Sequence, residues 1–430
     1  MANQEISGSM QILESTVESF QKKIKGIDDI QRVLLGLESI NASQVFEAVL
    51  SAALNLGASD VHIEPQEENT ALRMRVDGVL RDAAVINGHL YKLILSRIKL
   101  LSGLKLNIHD SPQEGRFSVR LAGRDIEMRT SVLPSEYGED IALRVLDPRF
   151  LLSLEELGMR RALQVRMDEE LKNPQGLVLV TGPTGSGKTT TLYAFVQKLA
   201  RGDIKIVTIE DPIEYHIEGV AQTQVDPDKG YTFEAGLRAI LRQDPDVILV
   251  GELRERVSAE AALGAALAGK KVLATLHTQD AAGAVPRMSA LGVNETAIAS
   301  GLSAVISQRL VRSLCKECGK ERILTEKEVK RFREILGNTE VSQISTRTKI
   351  YTAGVGCKAC LGGYLGRIGI FEDIFFDKDL REVVKQRPTD DEIRDAAQKK
   401  GMSTMRQDAV LKILDGITTL EEAERVLGKL

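Results

Sequence analysis

The sequence predicts an α/β protein in which a smaller α+β domain precedes a larger domain built on a mainly parallel sheet. Three observations lead there. From Gly176 onward the short apolar runs "GLVLVTG", "KIVTIED", "VILVGE" and "KVLATLHT" alternate with helical stretches, which is the pattern of a parallel sheet covered by helices. Ahead of them, "TALRMRVDGVL" and "RFSVRLAGRDIEMRTSVL" alternate apolar and polar residues around tight turns, as antiparallel hairpins do. The chain of 430 residues also exceeds one ordinary domain, since compact units hold roughly 100 to 200 residues.

Residues 1–43 are polar, with Ile12, Val17, Phe20, Ile24, Ile27 and Ile30 at nearly helical spacing, which predicts a helical arm or linker. From Ser43, "SQVFEAVLSAALNLGASD" predicts a helix capped by Ser43 and stopped at Gly57. In the first hairpin Leu72, Met74 and Val76 face one way, Arg73 and Arg75 the other, and Asp77-Gly78 makes the turn. "DIALRVLD" adds a last strand and closes an α+β domain over residues 44–147. Residues 148–158 read as a linker. Residues 159–430 form the parallel-sheet domain, with a cysteine-bearing insert at 315–360 and a helical region over 377–430.

Composition removes several function classes. At 43% hydrophobic and 27% charged the chain sits near globular averages. With 57 basic against 61 acidic residues the net charge is -4, so no overall field recruits nucleic acid or an acidic membrane. Aromatics make up 4% with no tryptophan, so no stacking platform for single strands is evident. No apolar run approaches the roughly 18 to 20 residues that span a bilayer, and the N-terminus lacks a basic-then-apolar signal. A cytoplasmic location is expected.

"GPTGSGKTTTLY" fits G-x-x-x-x-G-K-[ST] with Gly182, Gly187, Lys188 and Thr189, directly after an apolar strand and directly before a helix. In such a loop, Gly182, Pro183, Thr184, Gly185, Ser186 and Gly187 wrap backbone N–H groups around phosphate oxygens, and the helix N-terminus adds favourable partial charge. Lys188 then bridges the β- and γ-phosphates, while Thr189, with Thr190 beside it, offers a hydroxyl to Mg2+. ATP and Mg2+ are the expected ligands.

"TIEDPIEY" brings Glu210, Asp211 and Glu214 to the end of the next strand, and strand ends are where open α/β sheets bind ligands. "VILVGE" ends in Glu252, placed to polarise a water for attack on the γ-phosphate. Gly251 precedes it where an aspartate would hold metal, so this strand alone reads either as a working catalytic end or as a lost one. "VLATLHT" delivers His277 to another strand end as a candidate sensor of nucleotide state.

"CKECG" and "CKACLGG" place Cys315, Cys318, Cys357 and Cys360 as two Cys-x-x-Cys knuckles. Four such thiolates supply the tetrahedral sulfur set that structural Zn2+ prefers, with disulfides or free thiols as the alternative. A helix over "TEKEVKRFREILG" can fill the stretch between the knuckles.

Together these segments resemble the secretion ATPases of type II secretion and type IV pilus assembly, the GspE/PilB-like group. "RMRVDGVL", "PQEGR" and "RTSVLPSEYGED" resemble its second N-terminal domain. "GPTGSGKTTTLYA" is similar to its Walker A loop, "IEDPIEY" to its aspartate box, "GLRAILRQDPDVILVGE" to its Walker B segment and "TLHTQDAAGAV" to its histidine box. The resemblance implies a RecA-like P-loop NTPase motor domain behind a PAS-like domain, assembled as a homohexamer with nucleotide between the domains. It implies Glu252 as catalytic base, Glu210 and Glu214 as catalytic or metal-organising acids, and His277 as the coupling residue. Arg116, Arg129 and Arg144 match positions that reach the γ-phosphate when the domains close. The tetracysteine insert resembles that of assembly ATPases and is lacking in retraction ATPases of the PilT type.

The implied partners are an inner-membrane platform protein and a cytoplasmic docking protein, with peripheral membrane association through them and no nucleic acid. A nucleic-acid translocase is the competing expectation. Two departures stand out: Glu255 and Lys270 replace a customary aspartate and histidine. The long N-terminal module of many members of that group is expected to be absent, reduced to about 43 residues, or truncated.

Overall fold

The computed structural model describes residues 8–24, 26–36, 42–121, 123–200, 202–337 and 344–430. It divides into two compact units, Met1–Arg149 with Lys358–Leu361, and Phe150–Cys357 with Gly362–Leu430.

The first unit carries β1 (Gly8–Gln11), β2 (Ala58–Pro65), β3 (Thr70–Val76), β4 (Val79–Ile86), β5 (Gln113–Leu121), β6 (Arg124–Ser135) and β7 (Gly138–Leu146). They form one sheet in the order β1-β5-β6-β7-β2-β3-β4, antiparallel except for β1, which runs parallel to β5. Leu72, Met74 and Val76 are buried on one face of β3 as their alternation predicts. Asp77 and Gly78 have φ of +50° and +79°, the two left-handed residues of a tight hairpin turn. Helices Ala42–Asn55 and Gly88–Leu101 contribute Phe46, Leu50, Ile94 and Ile98 to the same core.

Two differences from expectation have local causes. The helix after the lead-in runs from Ala42 to Asn55, so Ser43 lies inside its first turn instead of capping it. Gly57 does turn left-handed beyond the end, at φ +65°. The described part of the lead-in holds helices Glu14–Lys23 and Asp29–Leu35 but also β1, and Ile12, Val17, Ile24, Ile27 and Ile30 are buried in the unit's core. Its apolar spacing therefore records packing into the unit's core, against helix Ala42–Asn55 and β4, since each such residue gains roughly 1.5 to 3 kcal/mol on full burial.

In the second unit β8 (Gly176–Thr181), β9 (Ile206–Glu210), β10 (Ala221–Gln224), β11 (Val247–Val250), β12 (Lys271–Leu276) and β13 (Leu302–Leu314) run parallel, in the order β10-β9-β11-β12-β8-β13. β14 (Lys320–Ile323) and β15 (Lys349–Thr352) pair separately in the insert, and β16 (Tyr364–Phe375) closes the large sheet antiparallel to β13. Alternate residues of one strand enter different cores: Leu177 and Leu179 join Ile248 and Val272 in one, whereas Val178 and Val180 join Leu249 and Leu273 in another. Burial on both faces explains the unbroken apolar runs. With every face occupied by packing, polar function is left to the strand ends.

Helix Glu326–Leu336 fills the stretch between the knuckles, started by Thr325 and Glu328 in a reciprocal cap. Helices Lys378–Val384, Asp390–Gln398, Met405–Leu414 and Leu420–Leu427 make up the C-terminal region.

Candidate functional site

β8, β9, β11 and β12 deliver their C-terminal residues to one edge of the sheet, in register Leu276 with Thr181 and Val250 with Ile209. The glycine loop leaves β8 there. Gly182, Gly185 and Gly187 have φ of +143°, +77° and +88°, conformations a side chain resists. A Cβ at Gly182 would also lie 2.6 Å from the Gln308 carbonyl oxygen. Helix Lys188–Leu199 begins immediately behind, with Thr189 and Thr190 half-buried in its first turn and Pro183 and Thr184 exposed at the loop's tip. Lys188 Nζ donates to the carbonyls of Gly182 at 2.9 Å and Pro183 at 3.1 Å. Burial pulls its ammonium below the ordinary lysine value; Glu252 opposes the shift and Arg309 adds to it.

Glu252 follows β11. One carboxylate oxygen lies 3.1 Å from His277 Nε2 and the other accepts from Arg254 Nε at 2.8 Å. Burial lowers the imidazole pKa, and Lys188 lowers it further while Glu252 opposes. Gly251 is fixed by its neighbours: its N–H donates to Ile209 O at 2.8 Å and its carbonyl accepts Thr275 Oγ1 at 2.6 Å. A Cβ there would stand 3.3 Å from Glu210 Cα and 3.4 Å from Ile209 O. Backbone on that side leaves little room for an aspartate.

Glu210 points into the interior. It is 3% exposed and accepts from Tyr193 OH, from Thr208 Oγ1 at 2.6 Å and from Gln222 Nε2 at 3.2 Å. Burial raises its pKa, and the three donors oppose this. Glu214 joins the same network through its backbone N–H, which donates to Tyr193 OH at 3.2 Å. Tyr193 therefore ties the acidic box to the helix of the phosphate loop. Lys270, where a histidine is customary, pairs with Asp244 at 2.6 Å; Glu255 is the N-cap residue of helix Arg256–Leu267.

Arg116, Arg129 and Arg144 all lie on the first unit's sheet. Arg116 sits opposite Arg129 across β5 and β6, and Arg129 opposite Arg144 across β6 and β7. The row continues through Asp60 to Arg75. Glu127 lies 3.4 Å from Arg116 and 3.8 Å from Arg129, and Asp60 lies 3.1 Å from Arg144. Like charges directly opposite destabilise a sheet, and Glu127 and Asp60 offset that repulsion along the row.

The Sγ atoms of Cys315, Cys318, Cys357 and Cys360 lie within 4.8 Å of one another, and none is in a disulfide. Cys315 and Cys357 are 3.8 Å apart. A tetrahedron with metal–sulfur bonds of about 2.3 Å has sulfur–sulfur edges of about 3.8 Å, so the cluster suits one metal ion. Cys315 and Cys360 are buried, and Cys318 and Cys357 are half-buried.

A family model described as "Type II/IV secretion system protein" matches residues 38–425. The chain belongs to this family. Type II secretion system protein E of Dickeya dadantii is 40% identical over 402 residues, covering 93% of this chain and 78% of the relative. The type IV pilus assembly ATPase PilB of Thermus thermophilus is 40% identical over 390 residues, covering 90% of this chain and 43% of the relative. Among solved structures, the pilus retraction motor PilT with bound ADP matches at a TM-score of 0.57 and 25% identity, over 88% of this chain and 95% of that one. The Legionella pneumophila ATPase DotB matches at 0.63 and 21%, over 88% and 94%, and speaks to the fold. The second unit has the RecA-like P-loop architecture of these motors, and this Type II/IV secretion family member is an ATP hydrolase.

Sequence reasoning missed Gln308 and Arg309 of β13. Gln308 lies behind the phosphate loop, and Arg309 donates to Gln279 O at 2.8 Å, two residues beyond His277. A glutamine inside the apolar run "LSAVISQRLV" was the available signal, because a fully buried amide is uncommon and must be bonded.

Proposed function

We propose that this chain is a Mg2+-dependent mechanical ATPase that works as a homohexamer on an inner-membrane platform, driving type IV pilus assembly or type II secretion from the cytoplasmic side. The observation that carries the reading is the meeting of a phosphate cradle, Glu252 and His277 at one sheet edge. Gly182–Gly187 hold the phosphates through backbone N–H groups, Lys188 pairs with their charge, and Thr189 holds Mg2+. Glu252 accepts the proton of the attacking water, with its carboxylate aimed by Arg254 and His277. His277, 3.1 Å from the base, registers the nucleotide through that contact. Glu210, held from behind by Tyr193, and Glu214 serve as catalytic or metal-organising acids.

Arg116, Arg129 and Arg144 supply the cationic face that answers the γ-phosphate, for which the planar arginine fork is suited. The four cysteines hold Zn2+, whose role is to fix the insert. A docking protein and the platform bring the ring to the membrane.

The test is ATPase activity of the purified chain with and without the cytoplasmic part of a platform protein from its own cells. Stimulation by that fragment, and its retention by the Glu252→Gln chain in ATP, is expected. Stimulation by DNA and not by the platform fragment would replace the reading with a nucleic-acid translocase.

A further inference from the structure

Gln308 is 1% exposed, in a strand that buries the apolar Ala304, Val305, Ile306 and Val311 together with Ser303 and Ser307. Its side-chain amide has two partners. Nε2 donates to the Ser186 carbonyl at 2.7 Å, and Oε1 accepts from Thr191 Oγ1 at 2.8 Å. A carbonyl can only accept, so the nitrogen must face Ser186. The glycines of the loop close on the same residue: a Cβ at Gly182 would lie 2.6 Å from Gln308 O, and one at Gly187 3.1 Å from its Nε2.

A planar trans peptide points its carbonyl and its N–H in opposite directions. Holding the Ser186 carbonyl from behind therefore turns the Gly187 N–H away from β13. Gly187 is the left-handed N-cap of helix Lys188–Leu199, where N–H groups lack intrahelical partners and serve anions. Were this peptide to flip, the carbonyl's partial negative charge would replace a donor at that point. Thr191, one turn into the helix, fixes the amide so that it cannot rotate away.

We propose that Gln308 is a positioning residue that preorganises the phosphate loop, aiming the Gly187 N–H at the diphosphate shared by ADP and ATP. The inference rests on reading the loop as a nucleotide cradle. It touches the loop's shape and not the reacting atoms, so its loss acts on binding of both nucleotides equally and on KM more than on kcat.

The test is titration of the full chain with ADP and with ATP in Mg2+, alongside steady-state ATPase kinetics. Gln308→Leu removes both bonds at nearly constant volume; Kd for each nucleotide is expected to rise roughly tenfold, and KM with it, while kcat stays within about threefold. Thr191→Val removes only the hydroxyl that fixes the amide and is expected to raise both Kd values about threefold. A purely structural role would lower the melting temperature and leave Kd of the folded protein unchanged. A Kd for ADP within about twofold of the parent's in folded Gln308→Leu overturns the proposal; if that variant does not fold, a parental Kd in Thr191→Val does so. A parent chain that binds no ADP overturns the cradle reading and this inference with it.

Discussion

In the second unit's sheet the apolar strands are buried on both faces, and the candidate chemistry sits where strands end: the glycine loop after β8, Glu252 after β11, His277 after β12. In the first unit's sheet one face is buried and the other carries charge, and its candidate residues run across the strands, Arg116, Arg129 and Arg144 side by side. A parallel sheet gathers its carboxyl ends along one edge, so residues from distant segments converge on a ligand there. An antiparallel sheet alternates its ends and instead offers rows at fixed cross-strand spacing. The first layout suits a pocket that makes and breaks bonds. The second suits a stiff cationic strip presented to a charge.

If the strand-end layout is the catalytic one, Glu252→Gln gives the largest effect in the molecule. Turnover is expected to fall by roughly 10² to 10⁴ fold, the usual contribution of a general base, while ADP affinity stays at the parent's level. The glutamine keeps the size of the side chain and loses its basicity. An ATPase assay in which the variant stays within about tenfold of the parent would move the base elsewhere and break the contrast between the sheets.

The same contrast governs what could be read from sequence. Residues 182–189, Glu210, Glu252 and His277 could be placed at strand ends because each lies within a contiguous motif whose apolar strand is part of the signal. The two-sided burial of β8, β9, β11 and β12 was legible for the same reason. β13 and β16 were not, since their long runs mix Gln308, Arg309, Arg312, Glu372 and Asp373 with apolar residues and their pairing is set by tertiary context. β1 is only four residues long and pairs with a strand far along the chain. Helix Gly88–Leu101 did carry a signal, an Asn87 cap followed by Leu90, Ile94 and Ile98, which a reading of that region through hairpins passes over. Arg116, Arg129 and Arg144 were visible singly, but a row exists only once register is fixed.

The cysteine cluster lies outside both large sheets and separates stability from chemistry. Cys318→Ser, or removal of metal by a chelator, is expected to cost the insert at least about 3 kcal/mol, read as a lower melting temperature and loss of bound Zn2+ by elemental analysis. Turnover per nucleotide-bound, folded chain should hold. Zinc-free protein with the parent's melting temperature would show that the four thiols need no metal.

Asp373 tests what it means to place charge inside the second sheet. It lies on β16, 3% exposed, 2.8 Å from Arg166. Burial raises its pKa to about 6, with Arg166 opposing and Glu372 and Asp408 adding. Because the folded state holds this proton more tightly than the unfolded chain does, the associated stability is full below about pH 4 and is lost as pH rises through about 6. The change is up to about 3 kcal/mol. Urea unfolding of parent and Asp373→Asn should therefore differ most in slope across that window, the parent losing stability relative to the variant as pH rises. Parallel pH curves would mean that Asp373 is ionised throughout.

Arg129→Met brings the comparison back to the first sheet. Arg129 stands between Arg116 and Arg144, with a like charge on either side and Glu127 at 3.8 Å. If the row were there for the fold, its middle member would be a poor choice, because opposed like charges cost a few tenths of a kcal/mol to about 1 kcal/mol. Methionine keeps most of the aliphatic stem and removes that repulsion. Thermal unfolding is therefore expected to stay level or rise slightly, while turnover falls by about tenfold or more if the strip answers the γ-phosphate. A functional surface held together against its own repulsion should show this opposite response. A variant that loses stability and keeps its turnover would make the row a structural feature of the sheet and leave the chemistry to the strand ends alone.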